Sequence, residues 1–326
     1  MTTGESERRR APSCFIIATR NREDELVQAV RSLVGQTVLP EELCVVDSSD
    51  EPLARAEVER LCSEAGIRLD YVHPAPRGLT IQRNIGIERT SGDPVFLIDD
   101  DVTLAPDVHE EILREYGRWG PELGGVRGAP VHPQRPARPT ILWRRLFGTG
   151  GFWPEASGRM RSGFYPEGVS ASDSVRRLEY FNGWFMSFRR EVFEHELFDE
   201  QLAGYAYKED YDLSYRVVKR GYVLLQTPRA RIDHHKTDSD RLSSFDTQRM
   251  GLANQFYLHR KNMPQTLKHR AALWWALLGW LPLTVGRAVR LRDPGILRGF
   301  VYGAWEQAQG RGLIDPAAEQ QRQADS

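Results

Sequence analysis

Three consecutive aspartates end an apolar stretch in the first third of the sequence. In "PVFLIDDDVTL" (residues 94–104) the apolar run leads directly into Asp99, Asp100 and Asp101. Adjacent carboxylates repel one another, and an ionised group resists burial unless an opposite charge meets it. The oxygens of an Asp-x-Asp pair suit Mg²⁺ or Mn²⁺ together with a diphosphate. A solvated acidic turn is the alternative interpretation.

Two later segments carry further polar groups of the same kind. "YKEDYDLSYRVVKRG" places Glu209, Asp210 and Asp212 at the start of an amphipathic run. The dipole of a helix favours a carboxylate there, and ordinary helix capping is the alternative. "RARIDHHKTDS" places His234 and His235 after a short apolar strand, where one imidazole could complete the shell of a cation.

The first hundred residues alternate between short apolar strands and amphipathic helices. Strands are predicted at 14–19, 42–49, 69–74 and 94–101, and helices at 21–36, 51–66 and 80–92. This alternation predicts βαβ units and a parallel sheet coated by helices. In open sheets of this kind ligands bind at the carboxyl ends of the strands, where Thr19, Asp47 and Asp99 fall.

Composition and local motifs exclude several functional classes. The 44 basic and 45 acidic residues nearly balance, which argues against a sequence-independent grip on nucleic acid. Three cysteines without a C-x-x-C pair argue against a disulfide framework and a zinc site. "ATRNRED", after the first strand, lacks both the G-x-G-x-x-G and the P-loop patterns. Ordinary dinucleotide and P-loop sites are therefore not expected.

One apolar stretch lies near the C-terminus. "AALWWALLGWLPLTVG" (residues 271–286) has sixteen uncharged residues, fewer than the roughly 20 that span a bilayer, and Pro282 interrupts it. Its three tryptophans and its basic flanks favour a helix lying in the lipid headgroup region. A core helix packed on the main domain is the alternative. The charged N-terminus lacks the apolar core of a signal peptide, so a cytoplasmic protein is expected.

The order of these motifs resembles family 2 glycosyltransferases, which have the A-type nucleotide-diphospho-sugar transferase fold. Six segments carry the resemblance in this order: "IIATRNR", "VVDSS", "GLTIQRNIGIERTSGDPVFLIDDDV", "FNGWFMSFRREVF" with a later "FDE", "YKEDYDLSYRV" and "HH". They span roughly residues 13–245, about 70% of the chain. The fold implied is α/β and Rossmann-like, with a mostly parallel central sheet and a C-terminal helical extension.

The resemblance also implies site residues. On the donor side these are Thr19, Arg20, Asp47, Arg83, Asn84, Asp99 and Asp100. The implied ligands of Mg²⁺ or Mn²⁺ are Asp99, Asp101 and one or both of His234 and His235. Asp210 is the implied general base. On the acceptor side the implied residues are Gly183, Trp184 and Glu209.

The function implied is that of an inverting, metal-dependent hexosyl- or deoxyhexosyl-transferase. It would move a sugar from a nucleotide-diphospho-sugar to a hydroxyl of a glycan or lipid-linked acceptor, as in surface polysaccharide synthesis. Peripheral contact with the inner face of the cytoplasmic membrane is expected, and no nucleic acid partner. The expected domains are a disordered tail (1–12), a catalytic domain (13–245), a helical, membrane-surface region (246–312) and a second disordered tail (313–326).

Two alternative functions remain at this stage. One is a nucleotidyltransferase of related fold, although "ATRNRED" lacks the glycines usual in the first loop of that class. The other is a non-catalytic carbohydrate-binding protein that keeps the fold. The segment "DSSD" has one acidic residue where the family often has two, so the nucleotide base is left open. The sugar and the acceptor are open as well.

Overall fold

The computed structural model describes residues 9–132, 137–150, 158–168, 174–202, 204–235, 243–310 and 312–313. The strands are β1 (Arg9–Thr19), β2 (Val38–Asp47), β3 (Arg68–Val72), β4 (Val95–Asp99), β5 (Val102–Leu104), β6 (Leu123–Pro130), β7 (Arg176–Leu178), β8 (Phe185–Phe188) and β9 (Val223–His234). The helices are α1 (Glu23–Val34), α2 (Arg55–Ala65), α3 (Leu79–Arg89), α4 (Val108–Arg118), α5 (Arg138–Phe147), α6 (Glu209–Lys219), α7 (Ser244–Asn262), α8 (Leu267–Leu291) and α9 (Pro294–Ala308), with a 3₁₀ helix at Arg190–Glu194.

These strands form one sheet in the order β3-β2-β1-β4-β8-β6-β9-β5, and β7 pairs with β9. The first four strands in this order run parallel to one another, whereas β8 is antiparallel to both β4 and β6. The predicted α/β class with a mostly parallel central sheet is confirmed. The carboxyl ends of β1, β2 and β4 therefore lie side by side at one edge.

Both faces of the parallel strands are buried, which explains their unbroken apolar runs. Side chains alternate between the faces: Phe15 stacks on Phe96 on one face at 4.3 Å between ring centroids, and Ile16 belongs to the core on the other. Helix α3 packs closely on this second face. A β-carbon added at Gly86 would lie 2.3 Å from Cγ2 of Ile16.

The first strand begins earlier than the sequence suggested. Residues 9–12 belong to β1 and not to the expected tail (1–12), because Arg9–Ala11 pair with Val38–Pro40 of β2. The pairing supplies hydrogen bonds that a charged, proline-containing sequence does not reveal. Residues 1–8 and 314–326, which make up most of the expected tails, lie outside the described residues.

The three C-terminal helices pack on the main domain through α7. Lys261 and Asn262 of α7 donate to the buried carboxylate of Asp212 on α6, at 2.9 and 2.7 Å. Helix α9 packs along α7, and α8 contacts both α5 and α9. The helix α8 has 25 residues and continues through Pro282, so it is longer than the apolar run of 271–286.

Helix α8 is long and apolar enough to cross a membrane by length and composition alone, and 28% of its most apolar 18-residue stretch is buried. One side packs inward through Leu273, Ala276 and Leu277. The other side is exposed and joins exposed residues of α5 and α9. We call this the C-terminal apolar surface, formed by Leu142, Leu146, Trp274, Trp275, Leu278, Leu281, Val285, Val289, Val301, Tyr302 and Trp305.

Candidate active site

The end of β4 meets the end of β9 in a cluster of three potential metal ligands. Asp99, Asp101 and His234 each offer a ligand atom, and these atoms lie within 4.8 Å of one another. The pairing of β5 with β9 sets Val102 opposite His234, and this brings the histidine to the aspartates. Nε2 of His234 lies 3.2 Å from Oδ1 of Asp101.

This donor set fits a hard divalent cation. Two carboxylates supply the oxygens that Mg²⁺ and Mn²⁺ prefer, and the imidazole of His234 adds a neutral ligand. The second histidine is not part of the cluster. His235 is exposed, and its Nε2 lies 2.8 Å from Oγ1 of Thr103.

A buried arginine connects this cluster to the start of α6. The guanidinium of Arg83, 2% exposed, donates to Asp99 and to the carbonyl oxygen of Gly183 through Nη2, and to Glu209 through Nη1. All three distances are 2.8 Å. Burial lowers the pKa of Arg83, but the carboxylates of Asp99, Glu209 and Asp210 outweigh it and raise the pKa overall.

Two carboxylates lie at the first turn of α6 beside Arg83. Asp210 accepts from the backbone N–H of Gly183 at 2.7 Å and from that of Tyr211 at 2.8 Å. Burial raises the pKa of Asp210 to about 6, against these hydrogen bonds. Burial and the neighbouring Asp210 raise the pKa of Glu209 to about 8. A β-carbon at Gly183 would lie 2.9 Å from Glu209, so this position holds the two elements in close contact.

The middle aspartate of the triplet points into the fold. Asp100 is buried and accepts from the hydroxyl of Thr19 at 2.8 Å and from Nη1 of Arg22 at 2.9 Å. Arg22 also lies 3.6 Å from Asp101. Burial raises the pKa of Asp100 to about 7. Two arginines, Arg22 and Arg83, thus supply positive charge to the aspartates at the end of β4, in addition to any bound cation.

The predicted nucleoside-side residues gather at the ends of β1 and β2. Asp47 is buried and accepts from the hydroxyl of Tyr71 at 2.7 Å and from the backbone N–H of Ser49 at 2.8 Å. Arg20 follows β1 and is half-buried. Among the predicted residues, Asn84 lies elsewhere, because its amide bonds to Glu200 and to the backbone of Phe198. It therefore fastens the segment 198–200.

A cavity of about 770 Å³ opens beside the cluster, between the sheet and the helices α5, α8 and α9. Trp184 and His234 line one part, with their rings stacked at 5.9 Å between centroids. The predicted acceptor-side residue Trp184 thus faces a cavity, whereas Gly183 and Glu209 lie behind it against Arg83.

The sequence analysis missed Arg22, Tyr71 and the cationic residues of the cavity. Arg22 stands in "ATRNRED", and an arginine three residues after Thr19, where the strand ends, was a usable signal. No signal in the sequence pointed to Tyr71 or to the cavity residues, because their contacts join different elements of the fold.

Comparison with known proteins gives the class. The model of glycosyl transferase family 2 matches residues 14–165. The chain is 31% identical over 166 residues to the succinoglycan biosynthesis protein ExoM of Rhizobium meliloti, which covers 48% of this chain and 51% of ExoM. It is 26% identical over 237 residues to the N-acetylglucosaminyl-diphospho-decaprenol L-rhamnosyltransferase of Mycobacterium tuberculosis, which covers 65% of this chain and 72% of that protein. The chain thus spans about half the length of ExoM.

The fold has a solved relative. A mannosyltransferase of Pyrobaculum calidifontis, PcManGT, solved with GDP-Man and Mn²⁺, superposes with a TM-score of 0.56 at 16% identity, over 92% of this chain and 88% of that one. Residues 14–165 thus match the model of glycosyl transferase family 2, and the predicted resemblance to that family and to its A-type fold is confirmed.

Replacement of the connecting arginine tests how strongly the site depends on it. We expect Arg83→Met to lower the free energy of unfolding by about 3–5 kcal/mol at pH 7, because two carboxylates lose their cation. The loss should shrink at acidic pH, where carboxyls whose pKa is raised by burial bind protons in the folded state. Urea denaturation at two pH values measures both effects.

The matched control is Arg89→Met on the same helix. Arg89 pairs with Asp70 through two hydrogen bonds of 2.8 and 3.1 Å, but the side chains are 56% and 33% exposed, whereas that of Arg83 is buried. This variant should leave the unfolding midpoint nearly unchanged. Equal effects of the two substitutions would contradict a central role for Arg83.

Proposed function

We propose that this protein is an inverting, metal-dependent glycosyltransferase. It transfers a sugar from a nucleotide-diphospho-sugar to a hydroxyl group of the acceptor. The observation that carries the proposal is the link through Arg83: one guanidinium joins Asp99 of the candidate metal cluster to the turn of Glu209 and Asp210. A cation site and a nearby base are the two groups that a single displacement requires.

Asp210 is the proposed general base. Burial raises its pKa above the ordinary aspartate value, which makes the carboxylate a better proton acceptor for a hydroxyl. The N–H groups of Gly183 and Tyr211 fix the carboxylate in one orientation. Glu209 is engaged with Arg83, which leaves Asp210 as the acid of this turn that can serve the acceptor.

The proposed ligands of Mg²⁺ or Mn²⁺ are Asp99, Asp101 and His234. When bound, the cation offsets the negative charge that builds on the departing nucleoside diphosphate. Arg83 and Arg22 hold the aspartates in place and reduce the repulsion within the triplet. Thr19, Arg20 and Asp47 line the adjacent strand ends, where the nucleoside is proposed to lie. The fold relative PcManGT, solved in complex with GDP-Man and Mn²⁺, supports this assignment.

The proposed acceptor is a lipid-linked glycan used in cell-envelope polysaccharide synthesis. The C-terminal apolar surface supports this part, since a soluble domain rarely leaves so many large apolar side chains exposed together. Lys268, Arg270 and Arg290 lie on the same helix α8 and suit anionic lipid headgroups. The M. tuberculosis relative is named for an acceptor on diphospho-decaprenol. We propose that residues 13–245 are catalytic and that 246–312 hold the protein peripherally on the cytoplasmic face of the membrane.

Removal of the proposed base should abolish transfer. Asp210→Asn is expected to lower kcat by a factor of about 10² to 10⁴, because the amide cannot accept the proton. Donor affinity should stay within about twofold, since Asp210 makes no contact with the strand ends that hold the donor. The donor is first selected by thermal-shift screening of nucleotide-sugars with Mg²⁺ or Mn²⁺.

Two further readouts accompany this variant. The wild-type kcat/KM should fall on acidification with an apparent pKa near 6, far above the ordinary aspartate value of about 3.9. Asp107→Asn, an exposed aspartate before α4, is the control and should transfer normally. Full turnover in Asp210→Asn would remove this residue from the role of base.

The adjacent histidines give a matched test of the metal site. His234→Ala should weaken Mn²⁺ binding at least about tenfold in calorimetry, equivalent to about 1.4 kcal/mol. His235→Ala should bind Mn²⁺ as the wild type does, because its ring contacts Thr103. Equal losses, or none in either variant, would contradict the assignment of His234.

The C-terminal apolar surface is tested with vesicles. The double variant Trp274→Glu, Leu278→Glu places charges on two side chains that are 60% and 59% exposed, so its thermal unfolding midpoint should match that of the wild type. It should no longer sediment with phosphatidylglycerol vesicles. Leu53→Glu, at a leucine 65% exposed outside this surface, is the control and should sediment with them. If the double variant still sediments with vesicles, the surface does not contact the membrane.

A further inference from the structure

The cavity beside the active site contains an unusual excess of positive charge. Five cationic side chains line it, against one carboxylate, that of Asp233, among the lining residues that the structure describes. The cations come from five different elements of the fold. They are Arg127 of β6, Arg144 of α5, Lys208 immediately before α6, Arg231 of β9 and Arg287 of α8.

The most enclosed of these cations have only neutral partners in the described part of the chain. Arg127, 4% exposed, donates to the amide oxygens of Gln226 and Asn182. Lys208 donates to the amide oxygen of Gln255 and lies 5.0 Å from the ring centroid of Tyr165.

Arg144 is held in the same way by an uncharged group. Its guanidinium lies 5.7 Å from the ring centroid of Trp280, and its Nε is buried without a hydrogen-bond partner. No ion pair within 4.0 Å joins a described carboxylate to any of the five cations of the cavity.

This arrangement differs from that of other enclosed arginines in the molecule. Arg22, Arg83 and Arg216 each pair with carboxylates, which raise their pKa despite burial. In the cavity the balance is reversed. Burial lowers the pKa of Arg127 and of Arg144, and that of Lys208 to about 7. The cost of removing these cations from water is thus not offset within the described fold.

The cavity connects the two regions that a lipid-linked acceptor must reach. Trp184 and His234, beside the proposed chemistry, line one part. Leu277 and Phe300, from the helices that carry the C-terminal apolar surface, line another. The volume of about 770 Å³ lies within the range of small-molecule sites. A ligand with an apolar tail, an anionic centre and a polar head matches this sequence of surroundings.

We propose that Arg127, Arg144, Lys208 and Arg287 form a subsite for the phosphate or diphosphate group of an isoprenoid-linked acceptor. Guanidinium groups donate paired hydrogen bonds to phosphate oxygens, and the lysine adds a point charge. The anion supplies the negative charge that these residues lack, and it fixes the distance between the lipid tail and the acceptor hydroxyl. The subsite rests on the proposed function and names the chemistry of its acceptor.

The experiment is a titration of the full chain with farnesyl diphosphate, followed by tryptophan fluorescence, since Trp184 and Trp280 line the cavity. EDTA is present so that the diphosphate cannot bind through a divalent cation. Farnesol and inorganic pyrophosphate are titrated in parallel. We expect farnesyl diphosphate to bind at least tenfold more tightly than either, because only it engages both the cations and the apolar lining.

Substitutions then locate the binding. Arg144→Gln and Arg287→Gln should each weaken farnesyl diphosphate about tenfold and leave farnesol unchanged, since a charge-assisted hydrogen bond is lost. Arg290→Gln, on α8 but outside the cavity lining, is the control and should bind as the wild type does. Thermal unfolding of each variant checks that it is folded, and Arg287, being exposed, can be replaced without disturbing the core.

Three results would overturn the subsite. Farnesyl diphosphate could bind no more tightly than farnesol, both arginine variants could bind it within twofold of the wild type, or pyrophosphate could bind equally well. The last result would assign the cations to a soluble anion. Because the titration contains neither donor nor cation, a protein that fails it but transfers sugar through Asp210 retains the proposed function and loses only this subsite.

Discussion

The ion pairs of Arg83 are the interaction on which the site depends. Asp99 at the end of β4 and Glu209 at the start of α6 are separated by 110 positions in the chain, and each would be costly to bury alone. A single guanidinium between them, 2% exposed, neutralises both and sets the candidate metal ligands near the proposed base. This guanidinium also donates to the carbonyl oxygen of Gly183, in the loop before β8. The N–H group of the same Gly183 donates to Asp210 and orients its carboxylate.

The acidic triplet uses its three carboxylates for different purposes. Asp100 turns inward to Thr19 and Arg22, and this ties the end of β4 to the segment after β1. Asp99 and Asp101 then remain on the open side with His234. Repulsion among adjacent acids is reduced because two arginines pair with the triplet, Arg22 from the β1–α1 connection and Arg83 from α3.

The C-terminal helices connect this site to a different environment. Helix α7 is anchored to α6, the helix that carries the proposed base, through the buried carboxylate of Asp212. Helix α9 packs along α7, and α8 packs on α9. Between these helices and the sheet lies the cavity with its cationic lining. An enzyme that takes a water-soluble donor and a membrane-borne acceptor requires both surfaces to open into one reaction space.

The sequence alone determined the parallel half of the sheet, because apolar strands and amphipathic helices alternate with short, polar connections between them. It also determined which strand ends carry the chemistry, since Thr19, Asp47 and Asp99 each end such a strand. Only the tertiary structure decided which histidine joins the cluster of Asp99 and Asp101. Two adjacent residues at a strand end point to opposite faces of the sheet, and the sequence does not show which face the aspartates share. It likewise decided that Asn84 fastens the 198–200 segment, that Arg83 joins two carboxylates, and that cations from five segments of the chain surround one cavity. Such contacts depend on how elements pack, and local residue patterns carry no record of partners more than a hundred positions away.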